Sequence, residues 1–263
     1  MGQITQSYRI TVLSLLLGLV LFTGCASSPQ QDKKEYTHEE KARLLVGIAN
    51  GALAENDPTG ALQTLLKAEA EDSNLPELYH SRALAYFAKH DLDAAIRSCK
   101  KALELNPQYA DANTTMGKLL IDKGQLAEAE RHLNIAAQNP LFRESYKAWT
   151  NLGILKYRQN QISQAEVYLN RAVQEAPDLA CIAYYYRGHI RLKESKLAEA
   201  VKDYSKATQK RCAQFGDAHL ALGMAYQKNH QYGLARKTFL DIEKRYPDTK
   251  LAEQALDQLR YLP

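Results

Sequence analysis

The sequence predicts an all-α protein built from about six repeated helical hairpins, and two observations predict it. Small and large apolar residues recur with a period of about 34 residues between residues 42 and 249. The composition, 45% hydrophobic and 24% charged, is that of a protein that can build a core, and 13 Gly with 8 Pro are too few for collagen or a long low-complexity linker. A fixed period of this length is typical of proteins whose repeats stack side by side.

The N-terminal segment has the organisation of a signal peptide. Arg9 is the one charged residue among residues 1–24, and it is followed by an apolar run at residues 10–22. This run is too short to cross a hydrocarbon core of ~30 Å. We therefore expect residues 1–24 to direct export.

The end of this segment resembles the lipobox of bacterial lipoproteins. Thr23 and Gly24 precede Cys25, although Phe22 stands where those proteins usually have Leu. The resemblance implies that Cys25 is lipidated, with palmitate among its acyl groups, and becomes the mature N-terminus. Several acyl groups provide stable membrane anchoring. Ala26 after the Cys implies attachment to the outer membrane on its periplasmic face, with residues 25–41 as lipidated Cys and polar tether.

One window carries the repeat pattern most completely, at residues 146–179. It resembles the tetratricopeptide repeat, which is a helix–turn–helix unit of 34 residues, at seven positions: Trp149, Leu152, Gly153, Ala165, Leu169, Ala172 and Pro177. Five further windows fit the same frame, and two extra residues precede the window at 146. These windows are 42–75, 76–109, 110–143, 181–214 and 216–249.

Small residues recur inside each predicted hairpin. A mid-helix glycine costs roughly 1 kcal/mol relative to alanine, so its recurrence at Gly117, Gly153, Gly188 and Gly223 indicates close contact between the two helices. A stack of such hairpins needs a polar cover at its end. Residues 250–263, apolar at helical spacing and otherwise polar, predict a capping helix.

No catalytic or cofactor-binding pattern is present. The seven His residues form no HExxH and no metal-ligand set, and the sequence lacks a Walker A loop, a GxGxxG and a GxSxG motif. Because the net charge of +4 is spread without a long basic run, nothing indicates nucleic-acid binding. We expect a protein that is not an enzyme and that has no metal and no cofactor.

The remaining cysteines differ in their expected roles. Cys99 falls at a large-apolar position, as a buried free thiol does. Cys181 and Cys212 lie at the first and thirty-second places of one repeat, where an antiparallel helix pair brings the two ends together. A disulfide there suits an oxidising periplasm, and two free thiols are the alternative.

In tetratricopeptide arrays the concave face is lined mainly by first helices, and the resemblance assigns a partner-binding groove here. Its mixture of apolar, aromatic and polar side chains suits contact with a protein. The carboxylate-clamp arrangement of basic and Asn residues is not in register, which favours an extended segment with apolar side chains as the guest. The predicted groove residues are Phe87, Lys118, Ile121, Asn151, Ile154, Tyr157, Tyr185, Tyr186 and His189.

Repeats three and four also carry a more specific resemblance. The segments 139–142, 148–153 and 164–172 are similar to the middle of the PilF/PilW/Tgl lipoproteins of type IV pilus systems. The resemblance implies a pilotin, which is an outer-membrane lipoprotein that binds secretin subunits and promotes their localisation and multimerisation. The expected partners are a secretin subunit or another periplasmic protein segment, and the membrane through the N-terminal lipid.

Two other lipoprotein classes remain open as alternatives. An NlpI-like adaptor recruits proteases or cell-wall enzymes through the same kind of groove. A BamD-like assembly factor is suggested by the Arg245–Pro247 turn and the helix after it, a likeness confined to one repeat.

Overall fold

The computed structural model describes residues 35–263, so the predicted signal peptide and Cys25 lie outside the described residues. Residues Thr37–Pro263 form one compact unit of helices and contain no strand. This confirms the predicted all-α tetratricopeptide superhelix. The thirteen α-helices of the described part are α1 His38–Ala54, α2 Pro58–Glu71, α3 Pro76–Ala88, α4 Leu92–Leu105, α5 Ala110–Asp122, α6 Leu126–Ala137, α7 Ser145–Arg158, α8 Ile162–Glu175, α9 Cys181–Lys193, α10 Leu197–Lys206, α11 Gly216–Lys228, α12 Tyr232–Arg245 and α13 Lys250–Arg260.

The first helix begins at His38, within the stretch predicted as a polar tether (residues 25–41). Thr37 accepts a hydrogen bond from the backbone N–H of Glu40, and the Glu40 carboxylate accepts one from the backbone N–H of Thr37. This capping box satisfies backbone donors that a helix N-terminus otherwise leaves free. Residues 38–41 therefore belong to the first repeat.

Each hairpin turns at one residue in the left-handed backbone region. The turn residue has φ between 58° and 81° in all six hairpins, and polar residues or glycine tolerate this conformation best. Two of these turn residues are histidines, His90 and His230, and both side chains are exposed to solvent. The six positions are Asn56, His90, Gly124, Asn160, Ser195 and His230.

The two helices of a hairpin approach closely where the small residues recur. A Cβ placed on Gly153 would lie 2.6 Å from two carbons of the Leu169 side chain, and a Cβ on Gly188 would lie 2.6 Å from a ring carbon of Tyr204. Both distances are well below van der Waals contact, so a larger residue at either position would force its neighbours to shift. The facing alanine in the second helix of the second to sixth hairpins is fully buried, at Ala95, Ala129, Ala165, Ala200 and Ala235.

Neighbouring hairpins share a continuous core along the array. One cluster of buried side chains runs from Ala83 in α3 to Ala218 in α11, and smaller clusters extend it to both ends. At the C-terminal end, Leu251 and Leu259 of α13 pack against the cluster around Phe239. The last helix thus covers the apolar face of the sixth hairpin.

Two connections between repeats are longer than the others. The α6–α7 loop spans residues 138–144, and the α10–α11 connection spans residues 207–215 and contains a short 3-10 helix, Lys210–Cys212. The α2–α3, α4–α5 and α12–α13 connections are four residues long. Both long connections build local features that a regular repeat lacks.

Candidate functional site

Side chains that come mainly from first helices line a groove on the inner face. His80 and Leu84 of α3, Thr115 and Lys118 of α5, and Asn151 of α7 line a mainly apolar groove of about 410 Å³, hereafter the inner groove. Its far wall is the start of α9 with the residues before it, where Leu179 and Ile182 expose 44% and 46% of their surface. Exposed aliphatic side chains beside a few polar groups are typical of a site for an extended segment.

The inner groove continues towards the N-terminus of the array. A second depression of about 540 Å³ shares His80, Leu84 and Asp111 with it and adds Arg43 and Glu77. The Arg43 guanidinium donates to the Glu77 carboxylate at 2.7 Å, so these two charges are paired.

Towards the C-terminus the inner face carries a cluster of aromatic rings. Tyr185 lies 4.4 Å from the His189 ring centre, 5.6 Å from Tyr186 and 5.1 Å from Phe215, and Tyr157 lies 5.5 Å from Tyr186. Edge-to-face contacts of this kind stabilise ring pairs beyond simple burial. Burial raises the pKa of Tyr185 and Tyr186, so both phenols stay protonated.

Burial also controls the charged groups of the groove. It lowers the pKa of His80 to about 4, with a further contribution from nearby Lys147, so the ring is neutral at pH 7. Burial lowers the pKa of Lys118 and raises that of Asp111. The Lys118 ammonium lies 3.6 Å from the Phe87 ring centre, a cation–π contact that holds it across the groove wall.

The structure separates the predicted groove residues into three groups. Lys118 and Asn151 line the inner groove, and Tyr157 and His189 line a shallower depression with Lys193 and Lys228. Tyr185 and Tyr186 lie half-buried in the aromatic cluster, and Phe87 lies beneath Lys118.

Two predicted groove residues present almost no surface. Ile121 is 3% exposed and Ile154 is 9% exposed, so neither side chain offers much surface to a partner. The Ile121 carbonyl accepts a hydrogen bond from Arg158 of the next first helix, which ties the two repeats together at that point.

Several lining residues were not predicted from the sequence. Tyr146 and Lys147 of α7 and the Leu179–Ile182 segment contribute to the inner groove. Tyr146 and Lys147 lie one helical turn before Thr150 and Asn151, so extending the same face by one turn would have found them. The Leu179–Ile182 segment carries no helical pattern that points to the groove.

A disulfide borders the groove wall. Cys181 and Cys212 are joined with their Cα atoms 5.4 Å apart, and the bridge connects the start of α9 to the 3-10 helix before α11. Cys99 is a buried free thiol, and burial raises its pKa to about 12. The disulfide therefore fixes the position of the Leu179–Ile182 wall.

Residues 35–263 contain no cluster of side chains that could hold a metal ion. No group of three or more His, Cys, Asp or Glu side chains in this part of the protein converges on a common point. No helix among the same residues has both the length and the apolar character that a bilayer crossing requires. Stacked hairpins with a lined groove define a protein-binding scaffold.

The chain belongs to the tetratricopeptide repeat family. Three models of this repeat match residues 46–110, 86–147 and 146–179, which together cover just over half of the sequence. Proteins of this class are binding scaffolds and not enzymes, and this protein is accordingly non-enzymatic.

Among characterised proteins, the chain is similar to pilus factors. It is 24% identical over 165 residues to the type IV pilus assembly protein PilF of Pseudomonas aeruginosa, and the match spans 62% of this chain and 64% of that protein, which is less than two thirds of its length. This similarity confirms the predicted resemblance to the PilF/PilW group.

Two solved structures show the same fold. The structure of PilW, described as a widely conserved type IV pilus biogenesis factor, has a TM-score of 0.69 at 20% identity and aligns over 82% of this chain and 98% of its own. The structure of Pseudomonas aeruginosa PilF has a TM-score of 0.67 at 17% identity over 84% and 99%.

Proposed function

We propose that this chain is a type IV pilus biogenesis protein that acts as a pilotin. In this role it is an outer-membrane lipoprotein that binds the pilus secretin and promotes its localisation and multimerisation. The observation that carries the proposal is the extent of the likeness to two pilus factors, which covers 98% and 99% of their solved structures and 82% and 84% of this chain.

The inner groove supplies a binding surface suited to this role. It is lined by four successive first helices and offers exposed Leu179 and Ile182 opposite neutral His80. An extended secretin segment with apolar side chains would bury these aliphatic groups, and the polar side chains along the groove would bind its backbone. The aromatic cluster adds large rigid side chains that lose little entropy on binding.

The disulfide supports an extracytoplasmic location. Disulfides persist in oxidising compartments such as the periplasm and are rare where thiols are kept reduced. A lipidated Cys25 would then hold the array at the outer membrane and raise the effective concentration of a captured secretin segment at its insertion site. The protein would act by positioning its partner and would catalyse no reaction.

The test follows the detergent-resistant secretin multimer by immunoblot in a strain that lacks this gene. We expect the multimer to disappear while secretin monomer persists, and wild type but not Cys25→Ala to restore it. An unchanged multimer in the deletion strain would contradict the proposal and favour the adaptor alternative.

A matched pair of variants tests the groove itself. Ile182→Asp places a charge in the inner groove, and Leu240→Asp places one on α12 at nearly equal exposure, 46% against 49%. We expect Ile182→Asp to fail and Leu240→Asp to restore the multimer at equal protein levels. Equal rescue by both variants would exclude the inner groove as the secretin site.

A further inference from the structure

One position of the repeat recurs along the inner face. The second residue of four successive first helices is Glu77 in α3, Asp111 in α5, Tyr146 in α7 and Ile182 in α9. Tyr146 and Ile182 line the inner groove, Glu77 lines the depression of about 540 Å³ next to it, and Asp111 lines both. Equivalent positions of stacked repeats form a row along the array. This row is acidic on α3 and α5, and it is aromatic or aliphatic on α7 and α9.

The other charged side chains that line the inner groove and the neighbouring depression each have a partner of opposite charge. These pairs are Arg43–Glu77 at 2.7 Å, Lys118–Asp122 at 3.8 Å and Lys147–Glu144 at 2.5 Å. Among residues 35–263, no Lys, Arg or His side chain forms an ion pair with Asp111. Asp111 is therefore the charge of this surface that a bound segment can neutralise.

The Asp111 carboxylate is poorly solvated where it lies. Burial raises its pKa, and Glu144 adds to the rise more than Lys147 opposes it. A carboxylate in the first turn of a helix is normally stabilised by the helix dipole, which lowers the pKa, so burial outweighs the dipole here. A cation brought close by a partner would replace the solvation that the ionised carboxylate has lost.

We propose that Asp111 selects the segment that binds the inner groove, and that this segment carries a Lys or Arg side chain beside apolar residues. The cation binds the Asp111 carboxylate, and the apolar side chains pack on Tyr146 and Ile182. Because complementary charges fix the register of a bound partner, the segment lies with its cation at α5 and its apolar residues towards α9. The inference rests on the proposed function for the identity of the partner, a secretin segment, whereas the charge of the segment follows from the groove.

Selection of peptides tests this charge preference without the secretin. A phage-displayed library of random dodecapeptides is panned on the purified full-length protein, and enriched sequences are synthesised with acetylated and amidated ends. Their affinity is measured by the fluorescence anisotropy of a labelled peptide. We expect the enriched peptides to carry Lys or Arg next to apolar residues, and to bind more weakly as salt is added, because salt screens the charge pair.

Asp111→Asn removes the charge and keeps the size of the side chain. We expect it to weaken binding about tenfold, as should Met in place of the basic peptide residue, and the two changes together should cost little more than either alone because they remove one interaction. Asp217→Asn is the matched control, since Asp217 is the second residue of first helix α11 and lines neither depression. It should leave affinity within about twofold, because exposed charges outside the contact contribute little. Far-ultraviolet circular dichroism verifies that both variants fold.

Four peptide results would overturn the proposal. The first is a set of peptides that lose binding to Ile182→Asp but bind Asp111→Asn as tightly as the wild type. The second is an equal loss in Asp217→Asn, which would assign the effect to net charge. The third is the enrichment of acidic or uncharged peptides in the inner groove, and the fourth is a selection without any peptide whose binding depends on Asp111.

The secretin assay separates this inference from the proposed function. At equal protein levels, Asp111→Asn should restore less of the secretin multimer than the wild type does. Rescue by Asp111→Asn but not by Ile182→Asp would overturn the charge selection of the secretin and support the pilotin role. An unchanged multimer in the deletion strain, together with peptides that depend on Asp111, would overturn the pilotin role and support the charge selection.

Discussion

Replacement of Gly153 by Ala tests one of the close contacts between the two helices of a hairpin. The added methyl group would lie 2.6 Å from Cγ and Cδ2 of Leu169 and 3.4 Å from the carbonyl oxygen of Ala165. Leu169 is fully buried, so the side chains packed around it leave little room for another rotamer. Helices α7 and α8 must therefore separate locally.

Two opposing effects determine how much Gly153→Ala changes the free energy of unfolding. Alanine favours the helix by about 1 kcal/mol relative to glycine, whereas overpacking of a filled core costs about 1–3 kcal/mol. The free energy of unfolding should fall by up to about 2 kcal/mol. Gly47→Ala in α1 meets no atom within 4 Å, so it keeps only the helix gain and should raise the free energy by about 1 kcal/mol.

The free energy of unfolding of both variants is measured by urea unfolding, which is followed by far-ultraviolet circular dichroism. We expect a separation of about 1–3 kcal/mol between Gly47→Ala and Gly153→Ala, because the two share the helix gain and differ in overpacking. If Gly153→Ala stabilises the protein as much as Gly47→Ala, steric contact with Leu169 does not set the spacing of the hairpin.

Three further predictions concern charge, protonation and the disulfide. Arg187→Met should lower the free energy of unfolding by about 3–5 kcal/mol, because buried Asp203 loses the guanidinium that pairs with it. Burial holds the pKa of His80 at about 4, below the ~6.5 of a histidine in an unfolded protein. The free energy of unfolding should therefore be highest above pH 6.5 and fall by up to about 3 kcal/mol as the pH drops towards 4, because protonation favours the unfolded protein. His80→Gln should remove that part of the pH dependence. Serine at both Cys181 and Cys212 should cost about 3–4 kcal/mol, because the bridge joins residues 31 apart.

Each of these predictions has a control in denaturant unfolding. Arg260→Met breaks an exposed pair with Asp257 and should change stability by less than about 0.5 kcal/mol; a loss as large as that of Arg187→Met would contradict the burial argument. If the free energy of unfolding of His80→Gln falls between pH 7 and pH 4.5 as much as that of the wild type, His80 is not the source of the pH dependence. Reductant should lower the free energy of unfolding of the wild type and leave that of the double serine variant unchanged. If reductant lowers both equally, the disulfide is not the source of the lost stability.

The sequence by itself determined the repeat architecture. In a stacked array each hairpin contacts only its neighbours, so short-range patterns carry the fold. Gly153 opposite Leu169 and the left-handed turn at Asn160 both lie within one 34-residue window. Their spacing was sufficient to predict the hairpin.

The tertiary structure alone decided which side chains form the sites. Ile154 and Ile182 both come from first helices, yet Ile154 is 9% exposed and Ile182 is 46% exposed and lines the inner groove. The depression of about 540 Å³ beside Trp149 depends on how α6, α7 and α8 meet around the lengthened loop at residues 138–144. These relations follow from the rotation of one repeat against the next and from the irregular connections, which no single repeat encodes.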